Sequence, residues 1–426
     1  MDSIRIRGGQ PLQGTVAIDG AKNAALPLMA ASLLTDQPVT LSRYPQLGDT
    51  RSMADLLRRL GVEATTPGKC AGTMGLVTPS VTSTTADYDL VRRMRASVLV
   101  LGPLLARSGH AEISLPGGCA IGTRPIDLHL KALTELGASI ELEGGYVRAR
   151  ASRRGLRGGR VRFAHVSVGA TENTLMAAVL ARGETRIENA AREPEVTDLA
   201  RCLVAMGAHV EGLGTSTLHV QGDTVFRPAS HRILGDRIEA GSYAAGALIT
   251  GGRLRLAGAP ADAMTATLDV LRSIGAEVEI AADDVVVNGS GTLAATDVET
   301  GVYPAFPTDM QAQMMAVLCL AGGRSRIVEN IFENRFMHVS ELVRMGARIK
   351  VRGRTAEIEG VQRLLAAPVM ATDLRASLSL VLGALAAEGE SVIRRVYHLD
   401  RGYSRLETKL RAVGAIVRRT SEDGST

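Results

Sequence analysis

The chain is poor in aromatic residues. Tryptophan is absent, and Phe and Tyr together make up only 3% of the 426 residues. A chain with so few aromatic side chains has little means of stacking on the bases of single-stranded nucleic acid. Its hydrophobic core must be built from Ala, Leu, Val, Ile and Met, which suits buried helices that pack closely.

Metal motifs, an export leader and long apolar runs are also missing. The four cysteines form no CxxC motif, and the eight histidines include no pair four residues apart, so no metal is expected. The first residues, Met1–Arg5, lack a charged segment followed by an apolar one, and no uncharged apolar run reaches about 18 residues. We therefore expect a cytoplasmic protein without a membrane partner.

Length and net charge limit the number of domains and the kinds of binding partner that the chain can have. A chain of 426 residues is too long for one hydrophobic core, so two large domains are expected. The net charge of +5 is modest and is compatible with nucleic acid, but an anionic small substrate explains it better in a chain with so few aromatics. We expect small-molecule substrates and no nucleic-acid partner.

A sixfold repeat is the main internal pattern. Six amphipathic segments end in glycine and continue into an alternating segment that predicts a half-buried strand. These glycines are Gly61, Gly137, Gly207, Gly275, Gly346 and Gly414. Each is expected to take the left-handed conformation just past a helix end.

A second helix recurs with the same period, and it is almost wholly apolar. The six copies begin near Ala21, Met94, Ala170, Ala240, Thr308 and Leu374. Such helices are expected to be buried, yet their first turns contain charged and polar residues. Helix N-termini offer free N–H groups and a partial positive charge, so several of them directed at one place would bind an anion. The repeat alone also fits a scaffold without catalysis or a ring-shaped clamp on DNA. The polar residues, which differ between copies, favour a binding site.

Seven segments, in order along nearly the whole chain, resemble the family of UDP-N-acetylglucosamine 1-carboxyvinyltransferases. They are Gly20–Pro27, Leu115–Pro125, Glu188–Glu195, Phe306–Gln313, Phe332–His338, Asp373–Ser377 and Asp400–Tyr403. The resemblance implies an α/β fold, an inside-out α/β barrel of two domains with six βαβαββ repeats, three in each domain. One domain would comprise residues 1–21 plus 234–426, and the other residues 22–233.

The resemblance also implies an activity that needs no cofactor. The family transfers the enolpyruvyl group of phosphoenolpyruvate to the 3′-hydroxyl of UDP-N-acetylglucosamine and releases phosphate. This is the first committed step of peptidoglycan synthesis.

Cys119 lies in a glycine-rich loop, which favours a flexible lid over a core position. Arg124 follows five residues later and would favour its thiolate. Pro125 fits the first position of the next helix. In the family, the cysteine protonates C3 of phosphoenolpyruvate and is the target of fosfomycin, so we expect sensitivity to this antibiotic. The alternative is a structural cysteine in a turn.

The resemblance assigns a cationic clamp on phosphoenolpyruvate to Lys22, Arg124 and Arg401, with Asn23 close by. Guanidinium groups bind phosphate and carboxylate through two hydrogen bonds, and a Lys supplies a point charge. Arg375 is a further candidate for the clamp, and its alternative is an ion pair with Asp373 or Asp309. Any single cation could otherwise be a solvated surface residue.

Asp309 is the candidate general base. In the family it hydrogen-bonds to the attacking 3′-hydroxyl, which must lose its proton as it adds to C2. The resemblance therefore gives the catalytic set as Cys119, Asp309, Lys22 and Arg401. Two structural alternatives are a capping box formed by Thr308 and Gln311 and a first-turn acid stabilised by the helix dipole.

The nucleotide sugar would be bound by a larger set of residues. These are Asn23, Arg95, Arg124, Pro125, Ile126, Asp127, Leu128, Val166, Ser167, Val168, Asp309 and Ile331. Asp127 and the backbone would bind the uracil, and Arg95 and Arg124 the diphosphate. His165 belongs to the same set, although many relatives have Lys there and His pairs less reliably with a diphosphate. His165 could equally be a plain surface residue.

Three other functions remain open from the sequence. An enzyme of the 5-enolpyruvylshikimate-3-phosphate synthase type shares the fold but lacks a cysteine in this loop. A transferase acting on another nucleotide is more remote. A clamp on nucleic acid or a nucleotide-sugar sensor without activity has no need of Cys119, Asp309 and the three cations together.

Overall fold

The structure is a computed structural model that describes residues 2–65, 72–92, 94–115 and 125–421. Two predicted site residues, Cys119 and Arg124, lie outside the described residues, as does most of the loop that was predicted to be a lid.

Strands and helices alternate along the described chain. The strands are β1 Asp2–Arg7, β2 Gln13–Ala17, β3 Val39–Ser42, β4 Glu63–Thr65, β5 Thr73–Val77, β6 Thr85–Ala86, β7 His110–Ser114, β8 Ser139–Glu143, β9 Tyr146–Arg150, β10 Arg160–Arg162, β11 Glu184–Glu188, β12 His209–Glu211, β13 Thr217–Gln221, β14 Ala229–Arg232, β15 Arg253–Ala257, β16 Glu277–Ala281, β17 Asp284–Asn288, β18 Val298–Glu299, β19 Arg324–Val328, β20 Arg348–Arg352, β21 Thr355–Glu359, β22 Pro368–Met370, β23 Glu390–Arg394 and β24 Ile416–Ser421. The α-helices are α1 Lys22–Ala31, α2 Gly48–Arg59, α3 Tyr88–Val91, α4 Leu101–Ser108, α5 Asp127–Glu135, α6 Val168–Ala178, α7 Pro194–Ala205, α8 Arg237–Thr250, α9 Thr265–Ile274, α10 Gln311–Leu318, α11 Val339–Arg344, α12 Ser377–Ala386 and α13 Leu406–Ala412.

The strands of the described ranges form six sheets of four strands each. Their orders are β14-β3-β5-β4, β6-β7-β9-β8, β10-β11-β13-β12, β16-β17-β15-β2, β18-β19-β21-β20 and β22-β23-β1-β24. Each sheet has one parallel pair of strands, at one edge, and its other pairs are antiparallel. The edge strands of the parallel pairs are β2, β6, β10, β14, β18 and β22, and each of them precedes one of the buried helices of the repeat. The predicted α/β class with sixfold βαβαββ repetition is confirmed. The resemblance also implied an inside-out α/β barrel. In the described residues, the strands form six separate open sheets.

Three of the six repeats are completed by strands that are distant in sequence. Strand β2 pairs with β15, β14 pairs with β3, and β1 lies between β23 and β24. The first strands of the chain are therefore held in sheets with the C-terminal half.

The chain divides into two compact units. Unit 1 comprises residues 2–19 and 235–421, and unit 2 comprises the described residues from 20 to 234. Each has three of the sheets and one apolar core, in which Ala, Leu, Val, Ile and Met predominate. The division into domains 1–21 plus 234–426 and 22–233 stays a prediction.

The six repeat glycines have left-handed backbone conformations, as predicted. Their φ angles are 105° at Gly61, 91° at Gly137, 116° at Gly207, 119° at Gly275, 92° at Gly346 and 96° at Gly414. A side chain at these positions would be strained, which explains why glycine follows each helix.

The buried helices begin differently from the prediction in three of the six copies. Arg95 opens a 3₁₀ segment, Arg95–Val100, that precedes α4, and Thr308–Met310 forms a similar segment before α10. Helix α12 begins at Ser377, after Asp373 has capped the N–H groups of Arg375 and Ala376 at 2.8 Å. In these copies the charged residues therefore precede the α-helix. No helix in the described ranges combines the length and the apolar character needed to cross a membrane.

Candidate active site

In unit 1, Asp309 is held between two arginines. Nη2 of Arg335 donates to Oδ1 at 2.6 Å, and Nε of Arg375 donates to Oδ2 at 3.3 Å. Both arginine side chains are almost fully buried, whereas that of Asp309 is 24% exposed. The two cations fix the plane of the carboxylate while solvent retains access to it, as a base that must meet a substrate requires.

Thr308 contributes its hydroxyl to this cluster. The Oγ1 atom accepts a hydrogen bond from Nη1 of Arg335 at 2.8 Å and donates to Oε2 of Glu329 at 2.8 Å. The capping box proposed for Thr308 and Gln311 is wrong, because α10 begins at Gln311 and its N-cap residue is Met310. The side-chain amide of Gln311 is buried and has no hydrogen-bond partner among the described residues.

Arg375 is the most deeply buried cation of the cluster, with 2% exposure. It lies 3.7 Å from Oδ2 of Asp236, and Nη1 donates to the carbonyl of Gly402 at 3.4 Å. Burial alone would lower the pKa of Arg375, but Asp236, Tyr403 and Asp309 together raise it above its usual value. The alternative of an ion pair with Asp309 is confirmed, and the backbone of Arg375, rather than its guanidinium, contacts Asp373.

Arg401 lies next to Gly402 at the end of the 3₁₀ segment Val396–Arg401 and is half-buried. The residue after Gly402, Tyr403, is fully buried, and its hydroxyl lies 3.0 Å from Oγ of Ser242. Nε2 of Gln313 lies within hydrogen-bond distance of both hydroxyls, at 3.2 and 3.1 Å, and of the carbonyl of Asp309, at 3.0 Å, and its two protons are shared among these three acceptors. Buried hydrogen bonds thus join the segment that carries Arg401 to the one that carries Asp309.

Ile331 lies in the loop after β19, half-buried. Its N–H donates to Oε1 of Glu329 at 2.9 Å. The predicted nucleotide-sugar contact at Ile331 and the predicted base at Asp309 are therefore linked within unit 1 through Glu329 and Thr308.

In unit 2, Lys22 is the first residue of α1 and is 7% exposed. Its ammonium donates to Oδ2 of Asp49 in the first turn of α2, at 3.1 Å. The interpretation of Lys22 as a solvated surface cation is wrong. Asn23 follows it at the second position of α1 and is half-buried.

Three unit 2 segments meet around His129 of α5, namely α5, α6 and the 3₁₀ segment Arg95–Val100. The imidazole Nδ1 lies 3.1 Å from Nδ2 of Asn173 in α6, whose amide also donates to the carbonyl of Val98. A Cβ at Gly169 would lie 3.2 Å from the ring of His129, so glycine permits this approach. Burial, followed by the charge of Arg95, lowers the pKa of His129 to about 4.

The predicted nucleotide-sugar residues around the start of α5 have different exposures. Pro125 and Asp127 are exposed, whereas Ile126 and Leu128 are buried in the core of unit 2. Helix α5 begins at Asp127, so the prediction that Pro125 is its first residue is wrong by two positions. Pro125 and Asp127 are therefore accessible to solvent at the start of α5.

The other predicted segment leads into α6. Ser167 is the N-cap residue, and its Oγ accepts from the N–H of Ala170 at 3.4 Å. Val168 is the first helical residue and, like Val166, is half-buried, whereas His165 is exposed. The N-terminus of a helix of this length can hold an anion near these residues.

Several residues around Asp309 were not selected from the sequence. Arg335 lies inside one of the seven segments on which the resemblance rests. Asp236 and Glu329 lie outside those segments, and no sequence motif indicates a role for them. Asp49, the partner of Lys22, likewise looks like an ordinary first-turn acid of α2. Only the folded chain brings these carboxylates to the cations that they pair with.

Comparisons with known proteins agree on one family. The family model described as EPSP synthase (3-phosphoshikimate 1-carboxyvinyltransferase) matches residues 6–410. A protein of Sphingopyxis alaskensis named UDP-N-acetylglucosamine 1-carboxyvinyltransferase is 57% identical over 425 residues, which is 99% of this chain and 100% of that protein. One of the same name from Rhodospirillum centenum is 55% identical over 432 residues, with the same coverage of both chains.

Solved structures show the same fold. The enolpyruvyl transferase NikO from Streptomyces tendae has a TM-score of 0.87 and 26% identity, covering 98% of this chain and 99% of that one. EPSP synthase from Acinetobacter baumannii, at 17% identity, has a TM-score of 0.75 over 99% and 100% of the two chains and supports the fold alone. The chain therefore belongs to the EPSP synthase family and, within it, to the UDP-N-acetylglucosamine 1-carboxyvinyltransferases.

Proposed function

We propose that the protein transfers the enolpyruvyl group of phosphoenolpyruvate to the 3′-hydroxyl of UDP-N-acetylglucosamine and releases phosphate. The observation that carries this proposal is the partly exposed carboxylate of Asp309, oriented by Arg335 and Arg375. The full-length similarity to proteins named for this transfer supports the choice of acceptor.

The reaction is an addition followed by an elimination. Asp309 accepts the proton of the 3′-hydroxyl as its oxygen bonds to C2 of phosphoenolpyruvate, and C3 gains a proton. The resulting tetrahedral intermediate loses a C3 proton, and the C2–O bond to phosphate breaks. We propose Cys119 as the acid that protonates C3, on the ground of the resemblance.

Cations would bind the phosphate and carboxylate of phosphoenolpyruvate. We propose Lys22, Arg124 and Arg401 for this role, with Asn23 beside them, and Arg375 as a further cation that acts through its charge. The buried ion pair of Lys22 with Asp49 supports a fixed ammonium at the start of α1. Arg375 is fully enclosed by Asp236, Asp309 and Gly402, so its contribution is electrostatic orientation.

The nucleotide sugar would be bound by the larger set of residues that the resemblance names. We propose Asn23, Arg95, Arg124, Pro125, Ile126, Asp127, Leu128, His165, Val166, Ser167, Val168, Asp309 and Ile331 for this role. Buried Ile126 and Leu128 can act only through their backbone groups. We also propose that the enzyme works in the cytoplasm, where its thiols stay reduced.

Phosphate release from phosphoenolpyruvate tests the function. Release is expected with UDP-N-acetylglucosamine and not without it, and not with shikimate 3-phosphate. The Asp309→Asn variant should lower kcat by about 10²- to 10⁴-fold. Asp283→Asn, at an exposed residue of the turn between β16 and β17, is the matched control and should leave kcat unchanged. Absence of release by the unmodified protein with the sugar nucleotide would rule out the proposal.

A further inference from the structure

Glu329 is a buried carboxylate with four hydrogen-bond donors around it. It is 1% exposed and directly follows the last residue of β19, where the Ile331 loop begins. Its Oε1 accepts from Oγ1 of Thr300 at 3.0 Å and from the N–H groups of Ile331 at 2.9 Å and Phe332 at 3.2 Å. Its Oε2 accepts from Oγ1 of Thr308 at 2.8 Å. One oxygen therefore fixes the Ile331 loop and the other fixes the residue before Asp309.

The direction of these hydrogen bonds is determined by chemistry. A guanidinium can only donate, so Thr308 must accept from Arg335 and has its own proton left for Glu329. Thr300 likewise accepts from the N–H of Asn330 at 2.9 Å and donates its proton to Glu329. Each hydroxyl thus has one orientation, and Glu329 must accept at both oxygens.

We propose that Glu329 and the hydroxyl of Thr308 are positioning residues that couple the acceptor-binding loop at Ile331 to the orientation of Asp309. Glu329 orients Thr308, Thr308 orients Arg335, and Arg335 holds Oδ1 of Asp309 at 2.6 Å. We call Glu329, Thr308 and Arg335 the relay. The inference rests on the proposed function, because the relay positions Asp309, the proposed base.

Two substitutions interrupt the relay without removing bulk. In Glu329→Gln the amide oxygen can still accept the three donors at Ile331, Phe332 and Thr300, but the amide nitrogen then faces Thr308 as a second donor. Thr308→Val removes the hydroxyl and leaves Nη1 of Arg335 without this acceptor. In both variants the Ile331 loop keeps its contacts. Thr308→Val removes the acceptor of Nη1 of Arg335, whereas Glu329→Gln removes the acceptor of the Thr308 proton, so the hydroxyl is no longer held in the orientation that meets Arg335.

The experiment is steady-state phosphate release with both substrates varied, and it includes Thr308→Ser as the conservative variant. We expect Glu329→Gln and Thr308→Val each to lower kcat about 10- to 100-fold, because a small misplacement of a base is costly. The KM for UDP-N-acetylglucosamine should change less than about threefold, since ground-state binding is retained. Thr308→Ser should restore most of kcat.

Two further variants separate positioning from a general loss of structure. The double variant Glu329→Gln with Thr308→Val should lose no more than either single variant, because both act on the same relay. Thr185→Val is the matched control in unit 2, since the buried Thr185 hydroxyl has no partner among the described residues, and its kcat should stay unchanged. Thermal melting checks that each variant folds. If Glu329→Gln does not fold, the comparison of Thr308→Val with Thr308→Ser decides alone.

Three results would overturn the inference. The first is a kcat of Thr308→Val within twofold of the unmodified protein. The second is equal losses in Thr308→Val and Thr308→Ser, and the third is additive losses in the double variant. If Asp309→Asn is inactive while the relay variants are unimpaired, the proposed function stands and the relay fails. An inactive unmodified protein contradicts both.

Discussion

Lys22 and Asp49 form an ion pair between the first turns of α1 and α2, with 3.1 Å between Nζ and Oδ2. Both side chains are less than a tenth exposed, so the pair lies largely out of water. The ammonium that we propose as a phosphoenolpyruvate contact is therefore held in place by the protein itself. Since the chain has paired this lysine with an acid from another helix, the two residues contribute to folding as well as to the proposed chemistry.

Replacement of Asp49 should therefore destabilise the protein. Asp49→Ala leaves the charge of Lys22 without this partner in a buried setting, and such a loss costs about 3 kcal/mol. Urea denaturation followed by circular dichroism would measure it. Asp55→Ala is the control in the same helix, because Asp55 forms an exposed pair with Arg58 and should cost less than about 1 kcal/mol. Equal midpoints for the two variants would contradict the importance of the buried pair.

Arg335 should not tolerate replacement by lysine. Its guanidinium donates to Thr308 and Asp309 at the same time, and a single ammonium on a flexible stem cannot reproduce this planar geometry. We expect Arg335→Lys to lower kcat/KM at least tenfold in the phosphate-release assay. Arg344→Lys is the control, because Arg344 is an exposed residue of α11 that bonds the carbonyl of Pro368. Retention of full activity by Arg335→Lys would show that only its charge matters.

The sequence predicted the repeat well because the pattern of each repeat is local. Gly61 and its five counterparts indicate helix ends, because their left-handed backbone conformation favours glycine. The buried helices are predictable from their almost wholly apolar composition. The partners of the site charges are different. Asp236 reaches Arg375 across 139 positions of sequence, and Glu329 reaches Thr308 across 21, so no local pattern reveals them. The capping box failed for the same reason, because Glu329 and Arg335 together compete for the hydroxyl of Thr308.

Fosfomycin should inactivate the enzyme through Cys119, as the family resemblance implies. The epoxide reacts with a thiolate, so Cys119→Asp should remain active and become resistant. The measurement is residual phosphate release after incubation with a saturating amount of the antibiotic. Cys202 and Cys319 provide the controls, because burial raises the pKa of each thiol to about 12. Their replacement by Ala should leave the sensitivity to fosfomycin unchanged, and full activity of the treated, unmodified protein would contradict the prediction.

Acid should destabilise the protein in the pH range where the buried residues His129 and His338 remain neutral in the folded protein. Burial is the main cause that lowers the pKa of His129 and of His338 to about 4. In the unfolded chain a histidine binds its proton near pH 6.5. Between these values the unfolded state holds more protons than the folded state, so a fall in pH through this window favours unfolding, by up to about 3 kcal/mol for each residue.

His338 offers the sharper test of this acid effect. Neither of its ring nitrogens has a hydrogen-bond partner among the described residues, whereas His129 contacts Asn173. Removal of the imidazole in His338→Gln should therefore reduce the drop in melting temperature between pH 7 and pH 5, because the variant has one group fewer to protonate on unfolding. His110→Gln is the control, since His110 is an exposed histidine. If His338→Gln and the unmodified protein lose the same number of degrees over this interval, His338 does not contribute to the acid sensitivity.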